Sequence, residues 1–104
     1  METELVHYLN ENFSLELKEE DYGRLKEILA VKVNQLITND FTQLIRLLYK
    51  IDVNELKLKR FLKENSAIDA ADIIATLIIE RQLQKIHSRK QFREDNNFNS
   101  EEKW

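Results

Sequence analysis

The sequence predicts an all-α protein, a compact bundle of about five helices with the C-terminal helix longest. Three observations lead there. Apolar residues recur at spacings of three and four along most of the chain, the period of a helix with one buried face. Proline is absent and Gly23 is the single glycine, whereas sandwiches and barrels turn on many such residues. Charged residues make up 34% of the chain, enough to solvate the outer faces of helices with good helix formers. At 104 residues this is one domain, able to bury roughly two-thirds of its unfolded surface.

The first helix is expected over about residues 3–12. Leu5, Leu9 and Phe13 recur every four residues with Val6 beside them, and Asn10 and Asn12 weaken the end. A link follows over 14–19, where Leu15 and Leu17 alternate too briefly to make a strand. The second helix covers about 20–38. Glu19, Glu20 and Asp21 complement the positive end of its dipole, and Tyr22, Leu25, Ile28, Leu29, Val33, Leu36 and Ile37 form its stripe. Gly23 in its first turn costs up to about 1 kcal/mol relative to alanine, and Asn39 is a plausible stop. Asp40 caps a third helix over 41–51, with Phe41, Leu44, Ile45, Leu48 and Ile51 on one face.

Asp52 followed by Glu55 has the form of a capping box, which starts a fourth helix near Val53. It carries Leu56, Leu58, Phe61 and Leu62 and ends at Asn65 and Ser66. The fifth helix begins near Ile68, capped by Ser66 or Asp69, and its pattern fades near Phe92. Residues 1–92 form the helical domain. The stretch 93–104, REDNNFNSEEKW, is polar and aperiodic and is expected to be a disordered tail.

The fifth helix is apolar on more than one side. At about 100° per residue, Ala70, Ile73, Ile74, Leu77, Ile78 and Phe92 share one arc, while Ala75, Ile79, Leu83 and Ile86 fall roughly opposite. A surface helix needs only one stripe, and a helix apolar all round is buried. Four short helices surround a central one with difficulty in so small a domain. The second arc is therefore read as an oligomer interface, most simply that of a two-fold dimer; the alternative is that loop residues or the first helix cover it within the subunit.

The net charge is -3 and unevenly placed. Seven acids and Lys18 lie within residues 1–21; Arg81, Lys85, Arg89, Lys90 and Arg93 lie within 81–93 with no acid. The absence of cysteine excludes disulfides, thiolate zinc sites and a cysteine nucleophile, and makes a cytoplasmic location the default. The acidic N-terminal segment is unlike a signal peptide. The apolar runs fall well short of the roughly 20 residues that span a bilayer, so no membrane association is expected.

Sites of chemistry are sparse. Glu4-x-x-His7 sets a carboxylate and an imidazole on one helix face, the half-motif of carboxylate-bridged metal bundles, but His87 has Gln84 where the second glutamate is required. Ser14, Ser66, Ser88 and Ser100 lack the glycines of a nucleophile elbow, and there is no glycine-rich phosphate loop. Asp69 and Asp72 fit the first turn of the last helix as dipole partners. No catalytic residue, metal or cofactor is assigned. The basic strip of Arg81, Lys85, Arg89, Lys90 and Arg93 suggests phosphate contact, and the tight joint at Asp52 is like that of a helix-turn-helix. Against this, cations collect at a helix C-terminus because the dipole favours them there, and the surrounding acids oppose nucleic acid.

Two segments, YKIDVNE over residues 49–55 and LIIERQLQKI over 77–86, resemble a family of small uncharacterised all-helical bacterial proteins. The resemblance covers about half of the chain and implies a compact cytoplasmic protein with no functional residue to carry over. The resulting expectation is a non-enzymatic interaction or adaptor protein, homodimeric through the long helix, with an unknown protein partner possible in addition. A nucleic-acid-binding or regulatory module is the alternative.

Overall fold

Helix formation follows the apolar spacing closely. The structure, a computed structural model, describes residues 3–64 and 69–102, with side chains of the last helix described as far as Phe92. The elements are α1 (Thr3–Phe13), a 3-10 turn (Glu19–Arg24), α2 (Leu25–Asn39), α3 (Phe41–Ile51), α4 (Glu55–Glu64) and α5 (Ala70–Glu102). No strand occurs among the described residues. The helical backbone of α5 continues past Phe92. Ser66, Arg93 and the tail expected over 93–104 lie outside the residues with described side chains.

The caps show which local signals governed the boundaries. The Asp40 carboxylate accepts the Gln43 N–H at 3.2 Å, so one residue both ends α2 and starts α3. The Asp69 carboxylate accepts the Ala71 N–H at 3.0 Å and opens α5. The acids before α2 form a separate 3-10 turn, in which the Lys18 N–H donates to Asp21 Oδ2 and the Asp21 N–H to the Lys18 carbonyl, both at 2.9 Å. The expected box at Asp52 does not form. Asp52 adopts φ 65°, ψ 49° as the C-cap of α3, a left-handed conformation that aspartate tolerates better than most residues. Asn54 caps α4 instead, accepting from the Lys57 N–H at 3.0 Å.

Asn10 also has a role its composition hides. Its Oδ1 accepts the Leu17 N–H at 2.8 Å, and its Nδ2 donates to the Leu17 carbonyl at 3.2 Å. One amide thereby replaces a backbone partner for a residue of the link, and it seats Leu17 in the core.

The core is built around α5. Leu5, Val6, Leu9 and Phe13 from α1, Leu25, Leu29, Ala30 and Val33 from α2, and Leu44, Leu47 and Ile51 from α3 are all buried. They meet Ala71, Ile74, Ala75, Ile78 and Ile86 of α5 in one cluster. α2 runs along α5 most extensively, and α1, α3 and α4 each pack on it as well. α4 contributes only half-buried residues, among them Leu58 and Phe61, and leaves Leu56 exposed.

The corner between α3 and α4 is latched to α5. Arg81 Nε donates to the Asp52 carbonyl at 3.1 Å, and its Nη2 meets Asp52 Oδ2 at 3.1 Å. Lys57 Nζ lies 3.5 Å from Glu80 Oε2 beside it. Because the Asp52 carboxylate stands mostly in water, Arg81→Met is expected to lower stability by about 1 kcal/mol rather than the larger figure of a buried pair. Asp52→Ala should cost more than Asp52→Gly, since alanine loses the carboxylate and keeps the left-handed strain. Urea denaturation of the three variants measures that order.

Candidate interaction surface

The second arc of α5 lies inside the subunit. Ala75 and Ile86 are fully buried, and Ile79 and Leu83 are half-buried against the same core. The first arc is buried too at Ile73, Ile74, Leu77 and Ile78, whereas Ala70 and Phe92 at its ends are exposed. Both apolar sides therefore face neighbouring helices over residues 73–86. A subunit contact through Ala75, Ile79, Leu83 and Ile86 would first have to draw Ala75 and Ile86 out of the core.

Among the described residues, exposed large apolar side chains form a row on α3, whereas Val31, Leu56 and Phe92 stand singly on α2, α4 and α5. At about 100° per residue, the apolar positions of α3 fan over roughly 200°. One half, Leu47, Ile51 and Leu44, is buried, with Leu48 half-buried at the centre. The other half carries Phe41, Ile45 and Tyr49, which are 56%, 40% and 84% exposed. These three are spaced by four residues, so their side chains neighbour one another along the helix. The sequence placed Phe41 and Ile45 with the buried face. The structure separates them, because α2 and α5 cover only the half of the fan that contains Leu44, Leu47 and Ile51.

The exposed stripe amounts to on the order of 350 Å² of side chain, since a whole aromatic side chain presents about 150–250 Å². Patches of that size are often functional when contiguous. Thr42, Arg46 and Lys50 follow along its outer edge at the same spacing and are exposed. Arg46 has no ion-pair partner among the described residues. Lys50 Nζ donates to Asn12 Oδ1 at 2.8 Å, a neutral partner on α1 that leaves its charge uncompensated. Alone among the five helices, α3 carries no acidic residue.

No family model, curated protein or solved structure matches the chain.

The basic end of α5 is largely engaged within the subunit. Arg81 holds Asp52, Arg89 Nη2 lies 3.4 Å from Glu4 Oε2, and Lys90 is likewise engaged. Burial holds the Lys85 ammonium below its usual range, and the Arg81 and Arg89 guanidiniums push in the same direction against Asp52. In the metal half-motif, Glu4 Oε2 lies 3.4 Å from Arg89 Nη2, and His7 Nε2 meets Glu11 Oε1 at 3.2 Å with both of those side chains exposed. An open hollow of about 590 Å³ is lined by Glu4, Ser88, Arg89 and Phe92. Its acid and base face each other, and Ser88 has no histidine beside it among those lining residues. Among the described residues no helix is long and apolar enough to cross a membrane.

Proposed function

We propose that this protein is a non-enzymatic interaction protein whose contact face is the outer half of α3. A single observation carries the reading: Phe41, Ile45 and Tyr49 stand in water on a helix whose other apolar half is fully used by the fold. Folding gains nothing from an aromatic side chain left 84% exposed, and binding faces are enriched in such residues. The Glu4–Arg89 and Asp52–Arg81 pairs engage the charges of the hollow and two cations of the basic strip, whereas α3 presents an exposed apolar row bordered by Arg46 and Lys50. Association through the second arc of α5, including a dimer formed there, competes with the core, so any pairing of copies belongs on α3.

The Phe41→Lys, Tyr49→Lys double variant tests this. Both positions are exposed, so the melting temperature is expected to stay within a few degrees of the parent, as surface changes usually leave stability within about 0.5 kcal/mol each. In extracts of cells that naturally make the protein, gel filtration should show the parent in a larger complex and the variant at the size of one chain. A parent that elutes as one chain in fresh extract contradicts the proposal.

A further inference from the structure

We infer that the α3 face accepts an amphipathic helix bearing acidic side chains along the margin that meets Thr42, Arg46 and Lys50; this rests on α3 being the contact face. Three observations select that partner. The stripe from Phe41 to Tyr49 covers about two helical turns, or some 12 Å of axis. That length suits helix-on-helix docking, in which apolar anchors recur every three or four residues. Its outer edge is cationic on a helix without acids, in a chain whose net charge is -3. Arg46 has no ion-pair partner among the described residues, and Lys50 keeps its charge against a neutral amide. Opposite charge at such a margin steers encounter and fixes which way round a helix lies.

A second copy of this chain fits the face less well. The exposed stripe, on the order of 350 Å² by side-chain size, is under half of the roughly 800 Å² per partner in a standard stable interface. Two-fold pairing of antiparallel α3 helices about Ile45 would also set Arg46 against its own copy, because an isologous contact repeats each margin on itself. An acid-edged helix meets the same cation with opposite charge.

Calorimetric titration of the full chain with two synthetic peptides decides the matter. Each peptide is an amphipathic helix of about 18 residues, or five turns, with a leucine face. One carries glutamates along one margin and the other carries lysines there. The acidic peptide is expected to bind at least about tenfold more tightly. The difference should shrink toward about 1 M salt, where the screening length falls to roughly 3 Å. Arg46→Glu should reverse the preference, and Tyr49→Lys should weaken both peptides. Equal affinity for the two peptides overturns the acidic-partner inference and leaves α3 as the contact face. Failure of both peptides to bind, or binding that Tyr49→Lys does not change, overturns both. Self-association of the parent that Tyr49→Lys abolishes would make a second copy the occupant and overturn the inference.

Discussion

Truncating Ile86 to alanine is expected to lower the unfolding free energy by about 3 kcal/mol, within the range for removing a buried aliphatic side chain. Ile86 is fully buried and sits on the second arc of α5 with Ala75, which is also inaccessible. In a domain of this size, that loss should lower the melting temperature by some 10 °C or more, since each kcal/mol corresponds to about 4–8 °C. Enlarging Ala75 to leucine should destabilise by about 1–3 kcal/mol for the opposite reason, because close-packed neighbours have no room to give. Ile79→Ala and Leu83→Ala should cost less, as both residues are only half-buried. If Ile86→Ala instead left the melting temperature unchanged and altered association, the second arc would be an interface after all. Thermal unfolding followed by circular dichroism, with light scattering on the same samples, distinguishes the two.

Replacing Gln82 by methionine is expected to stabilise the protein by about 1–3 kcal/mol, the penalty of an unsatisfied buried polar group. Gln82 is 2% exposed, and its Oε1 has no hydrogen-bond partner among the described residues. It lies four residues from Ile78 and from Ile86, both buried, and so completes their row on the core side of α5. Methionine keeps the unbranched shape and removes the orphaned carbonyl, so packing changes little while the desolvation penalty disappears. Gln82→Glu should be strongly destabilising, because a charge without a partner is far harder to bury than an amide. A melting temperature that falls in the methionine variant would mean that the amide makes hydrogen bonds in solution.

These residues also show where sequence reasoning succeeds and where it stops. The helices stand where the three- and four-residue spacing puts them, because burying one stripe per helix is the dominant local demand. Asp40 and Asp69 were legible as caps because a cap needs only its own carboxylate and an N–H two or three residues on. Asp52 misled because it closes α3 instead of opening α4: in its left-handed conformation the Asp52 and Val53 N–H groups both donate to the Leu48 carbonyl, a helix ending that usually takes glycine or asparagine. Gln82 was hidden by its polar letter within RQLQK, although its spacing from Ile78 and Ile86 already placed it on the buried side.

The exposed face of α3 was half legible. Periodicity marked α3 and α5 as broadly apolar but could not say which neighbours cover which side. α5 proved easier to surround than its length suggests, since α2 lies along it while α1, α3 and α4 each cover part. That arrangement leaves the outer half of α3 without a covering helix. The surplus apolar arc therefore belongs to a short helix whose pattern, Phe41, Leu44, Ile45, Leu48 and Ile51, looked like an ordinary buried stripe.

Site-specific photo-crosslinking in cells that naturally make the protein tests the central claim most directly, with a photoreactive residue placed either at Tyr49 on α3 or at Leu83 on the second arc of α5. The outer half of α3 as contact face predicts a crosslinked polypeptide from position 49 and none from position 83. Crosslinking from 83 with none from 49 would contradict it and return the interface to α5.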